Sequence, residues 1–176
     1  MSEKTYRAGV IGLGVMGSIA DGLGGRHPAL FRPCCHAEAY RFHPGTELVA
    51  GSTRDPGRQA LFRETHGELP VYGDYREMLA QEGLDIVSIA TPAVCHSEMA
   101  LAALEAGVKG IYCEKAMSAS LAECDAMIAA CEKSGAVLAI NHQRTNIIQT
   151  EPEVRRGPLV RAREIMRLLG PPGTPR

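Results

Sequence analysis

The 176-residue chain has no excess of charge of either sign, because 19 Lys and Arg residues nearly balance 20 Asp and Glu residues. Without a basic field it lacks the electrostatic footprint of a protein that binds nucleic acid or an anionic membrane. It also lacks an apolar run long enough for a signal peptide or a membrane-spanning helix. We therefore expect no nucleic-acid partner, no membrane partner and a cytoplasmic location.

The sequence also shows no internal repeat and no disulfide framework. Its six cysteines are even in number, but their spacing follows the periodicity of secondary structure, and we interpret them as free thiols. Leu121, Cys124, Ile128 and Cys131 share one stripe of a predicted helix, which predicts that both of these cysteines lie in the core.

A metal site is not expected either. Cys34, Cys35 and His36 stand together, but no second ligand cluster follows at a spacing that a metal ion requires.

Short apolar runs do alternate regularly with helical patterns. The runs are "AGVIG", "ELVAG", "DIVSIA", "GIYC" and "AVLAIN", and the chain has enough apolar residues for one core. This alternation predicts an α/β fold with a mostly parallel sheet and helices on both faces. The predicted helix ends agree, with caps at Asp55–Pro56 and Ser120–Glu123 and stops at Gly107 and Gly135.

The first apolar run leads into "GVIGLGVMG", in which Gly12, Gly14 and Gly17 have the spacing G-x-G-x-x-G between a strand and a helix. In this setting Gly12 permits a tight turn, Gly14 lets a pyrophosphate approach the backbone, and Gly17 lets helix and strand pack closely. The pattern predicts a doubly wound Rossmann fold with a dinucleotide site. The alternatives are a glycine turn without a ligand and a methyltransferase loop, which usually follows an acidic residue that "AGVIG" does not supply.

The end of the second strand carries no acidic residue to bind the ribose of NAD. Ser52, Thr53 and Arg54 stand there instead, and hydroxyls with a guanidinium suit a 2′-phosphate. This favours NADP over NAD as the cofactor. Arg54 as a solvated loop charge is the alternative, and Asp55 is better explained as a helix cap.

Three motifs together, "GVIGLGVMG", "TPAVCH" and "CEKA", resemble the N-terminal domain of the glucose-fructose oxidoreductase, inositol dehydrogenase and MocA family (Gfo/Idh/MocA). The resemblance runs from about Tyr6 to Arg144. It implies an NAD(P)-dependent oxidoreductase that acts on a hydroxyl group of a sugar, a polyol or a similar small molecule.

The resemblance also implies the site residues. Lys115, preceded by Glu114, would lie at the nicotinamide and hydrogen-bond the reacting hydroxyl, so these two residues form the catalytic set. The full cofactor-binding set is Gly12, Gly14, Val15, Met16, Gly17, Ser52, Thr53, Arg54, Ala90, Thr91, Pro92, His96, Glu114 and Asn141. A solvent-facing role for Lys115 and a helix-surface role for His96 are the alternatives.

Two departures from the family pattern stand out. Ala116 replaces the proline that usually follows the Glu-Lys pair. The backbone constraint that would orient Lys115 is therefore lost. Family members also continue into a second α/β domain, which supplies the substrate pocket and the usual oligomer interface. We expect a truncated member, with a Rossmann domain over residues 1–150 and a stub with a flexible tail over 151–176. A non-catalytic dinucleotide-binding fragment or subunit is therefore the alternative function, and a homo-oligomer is a possible assembly.

Overall fold

A computed structural model describes residues 5–19 and 33–142 of the chain. Within them, six parallel strands form one sheet in the order β3-β2-β1-β4-β5-β6. The strands are β1 (Tyr6–Ile11), β2 (Thr46–Ser52), β3 (Val71–Tyr72), β4 (Ile86–Ile89), β5 (Gly110–Glu114) and β6 (Val137–Asn141). The predicted parallel α/β fold is confirmed, and the two-residue strand β3 is an addition that the apolar runs did not predict.

Within the described ranges, five α-helices connect these strands. They are α1 (His36–Phe42), α2 (Pro56–His66), α3 (Tyr75–Gln81), α4 (His96–Glu105) and α5 (Leu121–Ser134), with a π-helical turn at Val15–Ile19 and a 3-10 turn at Ala93–Cys95. The predicted caps are confirmed. Asp55 accepts hydrogen bonds from the amides of Gly57 (2.8 Å) and Arg58 (3.1 Å), and α5 ends at Gly135 with φ +67°.

The central strands bury side chains on both faces of the sheet. Ile111 and Cys113 of β5 enter one apolar cluster with Met127, whereas Tyr112 between them enters the other with Phe62. Alternation of this kind follows from the two-residue period of a strand. A parallel sheet covered on both faces therefore leaves its strand ends as the place for a ligand.

The predicted core stripe of α5 is wrong. Leu121 is 83% exposed and Ile128 is 46% exposed, while Met127 and Cys131 are buried and Cys124 is only half-buried. An alanine-rich helix offers more than one apolar stripe, and the pair at i and i+4, Met127 and Cys131, is the one that meets the sheet. The prediction holds for Cys131 alone. All six cysteines are free thiols.

Several predictions lie outside the described residues. They are the end of the Rossmann domain over 143–150 and the stub with its flexible tail over 151–176. Among the helices that the structure does describe, none combines the length and hydropathy that crossing a bilayer requires.

Candidate functional site

The predicted site residues collect at one edge of the sheet. Since all six strands are parallel, their carboxyl ends meet there: Gly12 follows β1, Thr53 follows β2, Ala90 follows β4 and Lys115 follows β5. The strand order reverses direction between β1 and β4, and ligands of open parallel sheets bind in the crevice at such a point.

Gly12 and Gly17 are required by the glycine loop itself. Gly12 has φ +92°, and a Cβ atom there would lie 2.5 Å from the carbonyl oxygen of Ala90. A Cβ atom on Gly17 would overlap the carbonyl oxygen of Gly12. The loop is also tied to β2, because the Gly12 amide donates to the Ser52 carbonyl at 2.9 Å. These contacts agree with the tight turn and close packing that the motif predicts.

Gly14 has a different explanation. Its φ is not positive, and the nearest described atom to a Cβ atom there is a guanidinium nitrogen of Arg58 at 3.5 Å, an ordinary van der Waals distance. Among the described residues, neither backbone strain nor packing therefore demands glycine. Close approach of a ligand to the loop does explain it, and the cradle fits a dinucleotide pyrophosphate. The adjacent Val15 is exposed and Met16 is half-buried.

The end of β2 carries a second part of the site. Ser52 is buried and Thr53 is half-buried, with its hydroxyl accepting from the Asp55 amide at 3.3 Å, whereas Arg54 is exposed. Of the three predicted phosphate ligands, the structure thus leaves Arg54 the most accessible to a ligand.

Arg58 joins this part of the site, and sequence reasoning missed it. It lies in the first turn of α2, where its guanidinium pairs with Asp55 at 3.7 Å and reaches the Gly14 region. The signal in the sequence was its spacing from the helix cap, because Asp55 and Arg58 stand at i and i+3 and residues at that spacing share a helix face.

His96 connects the loops that follow β4 and β5. Its ring is fully buried, with Nε2 2.7 Å from the Thr91 carbonyl oxygen and Nδ1 2.8 Å from that of Ala116. The alternative of a helix-surface histidine is therefore wrong. Both ring nitrogens face backbone oxygens, so His96 shapes the site through the loops of Thr91 and Ala116. Pro92 is exposed beside them.

Lys115 lies directly after β5 and is exposed at the strand-end edge. Its backbone thus lies at the edge where the resemblance places the nicotinamide, and its catalytic role stays a prediction. Glu114, in contrast, is buried.

Five polar side chains form a buried group that we call the Glu114 cluster: His36, Tyr40, Ser88, Glu114 and Asn141. His36 Nε2 lies 2.9 Å from Glu114 Oε1, and Asn141 Nδ2 donates to the same oxygen. On the other side of the ring, His36 Nδ1 lies 3.0 Å from Ser88 Oγ, which is 2.7 Å from the Tyr40 hydroxyl.

Burial raises the pKa of the Glu114 carboxyl, but hydrogen bonds from His36 and Asn141, the electrostatic interaction with the His36 ring and the Lys115 amide outweigh it and hold that pKa below its usual value. Burial also raises the pKa of the neighbouring Cys113 thiol to about 12. The cluster thus keeps a carboxylate ionised behind the strand-end edge.

Sequence reasoning identified Glu114 and Asn141 but missed the other three members. His36 was considered only as a metal ligand, and its contacts with Ser88 and Glu114 span 52 and 78 residues of sequence. Over 5–19 and 33–142 no group of three or more His, Cys, Asp or Glu side chains could hold a metal ion.

The region that forms this site is similar in sequence to known proteins. Residues 6–142 match the family model described as "Oxidoreductase family, NAD-binding Rossmann fold". Similar curated proteins include D-apiose dehydrogenase of Paraburkholderia graminis, 38% identical over 60% of this chain and 28% of that protein. Inositol 2-dehydrogenase 1 of Saccharopolyspora erythraea is 34% identical over 71% of this chain and 33% of that protein. D-xylose 1-dehydrogenase (NADP(+)) 2 of Haloferax volcanii is 34% identical over 52% and 28%.

The fold is also similar to that of solved dehydrogenase structures. The crystal structure of a probable dehydrogenase from Thermotoga maritima superposes with a TM-score of 0.66 at 28% identity, over 81% of this chain and 38% of that one. The chain spans about a third of the length of the curated relatives it matches. With a family match across 6–142 and the strand-end site in place, the chain belongs to the Gfo/Idh/MocA oxidoreductase family and contains its NAD(P)-binding Rossmann domain.

Proposed function

We propose that the protein is an NAD(P)-dependent oxidoreductase that acts on a hydroxyl-bearing carbon of a sugar, a polyol or a similar small molecule. The observation that carries the proposal is Gly14, a glycine that the described protein atoms leave without a structural reason. A pyrophosphate that approaches the backbone supplies that reason. The names of the similar proteins, dehydrogenases of apiose, inositol and xylose, support the substrate class.

The chain's own residues have distinct parts in this activity. The backbone around Gly12, Gly14 and Gly17 holds the pyrophosphate, and the start of the Val15–Ile19 turn directs amides toward it. The loop from Ala90 to Pro92 lies across the β1–β4 crevice and lines the nicotinamide side. The nicotinamide supplies the acceptor for the hydride removed from the substrate carbon.

Lys115 orients the substrate hydroxyl and stabilises negative charge that develops on its oxygen. An ammonium suits this role because it donates three hydrogen bonds and carries a positive charge. The buried Glu114 and the His96 contact with Ala116 hold the backbone on either side of Lys115. In this way the structure offers a substitute for the constraint that the family proline provides.

NADP is the cofactor that we propose over NAD. Arg54 is exposed at the end of β2, and a guanidinium nitrogen of Arg58 lies 3.5 Å from where a Cβ atom of Gly14 would be. Two guanidinium groups beside a hydroxyl suit a 2′-phosphate, whereas a carboxylate that would bind an unmodified ribose is missing at the end of β2.

A second candidate is a module that binds dinucleotide without turnover. It is favoured by the family match, which covers the dinucleotide-binding Rossmann domain over residues 6–142. The two candidates share the cofactor site and differ in sugar-dependent reduction of the cofactor.

The test is titration of NADPH and NADH into the purified chain, followed by nicotinamide fluorescence, beside Gly14→Val. We expect the valine to abolish binding, because its side chain fills the cradle, and to leave the unfolding midpoint nearly unchanged. Ala129→Val, at an exposed position of α5, is the control and must bind as the unmodified chain does. Undiminished binding by Gly14→Val would refute the proposed site.

A further inference from the structure

His36 is a residue that neither the motifs nor the relatives single out, and the role that we assign to it rests on the proposed function. We propose that His36 is a positioning residue for the nicotinamide half of the cofactor, acting through Glu114 on Lys115 and Asn141. His36 lies on α1, far from these residues in sequence, and meets them only in the folded chain.

The contact at Glu114 is unusually constrained. A single carboxylate oxygen, Oε1, takes both the His36 Nε2 contact at 2.9 Å and the Asn141 Nδ2 donor. His36 is 5% exposed, Glu114 is 8% exposed and Asn141 is 1% exposed. In such a dry setting a carboxylate depends on its hydrogen-bond donors, so the two nitrogens hold it in one orientation.

The first consequence concerns Lys115. It follows Glu114 directly, and its backbone amide is near enough to the Glu114 carboxylate to help hold the pKa of that carboxyl below its usual value. The cluster therefore anchors the first peptide of the loop that carries the lysine. Without His36 the carboxylate would lose a donor and could turn away from that amide.

The second consequence concerns Asn141. Because its Nδ2 is committed to Glu114, its Oδ1 is the remaining polar atom, and this buried oxygen has no partner among the described residues. A buried acceptor without a donor is unfavourable. The carboxamide of nicotinamide carries two N–H donors that match it. Asn141 ends β6, on the opposite side of β1 from the arginines at the end of β2, which agrees with adenosine and nicotinamide halves that lie on opposite sides of the switch point.

The other nitrogen of His36 sets the ring. Nδ1 is bonded to Ser88 Oγ, which in turn contacts the Tyr40 hydroxyl. The two ring nitrogens thus have separable tasks: Nδ1 orients the ring, and Nε2 contacts Glu114. Substitution of His36 with glutamine or asparagine separates these tasks. Glutamine places its side-chain nitrogen where Nε2 lies, whereas asparagine places its side-chain nitrogen where Nδ1 lies.

The experiment compares two ligands that differ only in nicotinamide, NADPH and 2′-phospho-ADP-ribose, with NADH and ADP-ribose as a parallel pair. Affinities are measured by calorimetry for the unmodified chain, His36→Gln and His36→Asn. We expect His36→Asn to weaken NADPH by roughly five- to tenfold, the effect of one lost hydrogen bond to a charged group. Binding of 2′-phospho-ADP-ribose should not change, and His36→Gln should bind both ligands nearly as the unmodified chain does.

A merely structural role predicts a different pattern, in which both ligands weaken together as the unfolding midpoint falls. That result, or equal NADPH affinity in all three proteins, overturns the proposal while leaving the proposed function standing. If the unmodified chain binds neither ligand pair, the proposed function fails, and the role of His36 fails with it.

A second variant keeps the test decisive where His36→Asn does not fold. Glu114→Asp retains the charge but withdraws the carboxylate by one methylene, which breaks the Nε2 contact from the other side. The same selective loss of NADPH is expected. Glu132→Asp, the same substitution at an exposed position of α5, is the matched control and should bind both ligands normally. NADPH affinity that is intact in Glu114→Asp contradicts the assignment.

Discussion

Arg54 and Arg58 bring two guanidinium groups to the end of β2, but they differ in their surroundings. Arg58 pairs with Asp55 at 3.7 Å and packs beside Gly14, whereas Arg54 is an exposed residue of the preceding loop. Since an exposed ion pair contributes little to stability, neither arginine has a strong structural role. We propose that they bind the 2′-phosphate of NADP.

Replacing Arg54 with alanine tests this at the level of one residue. We expect NADPH affinity to fall about tenfold or more, because a charge-assisted contact with the 2′-phosphate is lost. NADH affinity should stay within about twofold, since NADH lacks that phosphate. Fluorescence titration measures both, with Lys133→Ala on the exposed end of α5 as the charge-matched control. Equal affinities for the two cofactors in the unmodified chain would contradict the NADP preference.

Among the elements, the Val15–Ile19 turn is held in place by a third buried histidine. His66, at the end of α2, has Nε2 2.9 Å from Ser18 Oγ and Nδ1 3.1 Å from Glu38 Oε1 of α1. Arg41 of α1 also approaches Nδ1, at 3.3 Å. One imidazole thus links the turn after the glycine loop to two helices, so its protonation bears on the whole region.

Burial lowers the pKa of His66, Glu38 opposes this and Arg41 adds to it, for a net decrease. An unfolded histidine titrates near about 6.5. Below that pH the unfolded chain therefore binds more protons at His66 than the folded chain does, and stability falls as pH falls. We expect the free energy of unfolding to decrease between about pH 8 and about pH 5, as measured by urea denaturation.

The comparison that isolates this residue is His66→Gln, which keeps a nitrogen near Ser18 but does not titrate. Its decrease in stability over the same pH interval should be smaller than that of the unmodified chain, since the other histidines are shared. Parallel curves for the two proteins would show that His66 does not contribute.

For the whole molecule, the proposed function makes the described strand-end edge one wall of the active site. Hydride transfer requires the substrate to be held over the nicotinamide, and positioning accounts for roughly 7 to 11 kcal/mol of barrier lowering. A placed acid or base adds about 10²- to 10⁴-fold. Lys115 is exposed at an open edge, where water screens its charge. A cytoplasmic location and a homo-oligomer remain predictions from the sequence.

We predict that a polypeptide of residues 1–176 binds dinucleotide, whereas sugar-dependent reduction of the cofactor requires a second wall that encloses the substrate. Binding and sugar-dependent absorbance change are measured on the same sample. A fusion to the substrate domain of a family member is the positive control. Robust turnover by the chain alone would mean that a second copy or another pocket completes the site.

Local features of this protein could be predicted from the sequence because each depends on a few neighbouring residues. The glycine loop, the Asp55 cap and the Gly135 stop are examples, since their geometry is decided within one turn of chain. The parallel sheet could be predicted as a class from the alternation of strands and helices. The family motifs added Glu114, Lys115 and Asn141 to the candidate site.

Only the tertiary structure decided which surfaces and side chains meet. In the folded chain the buried face of α5 consists of Met127 and Cys131 and not of Leu121 and Ile128. An alanine-rich helix offers several apolar stripes, and only one of them packs against the sheet. The tertiary structure added β3, whose two residues are too few to form a recognisable pattern. It also brought His36 to Glu114 across 78 residues. Local sequence determines local geometry, whereas a contact between distant residues exists only once the sheet has set the order of its strands.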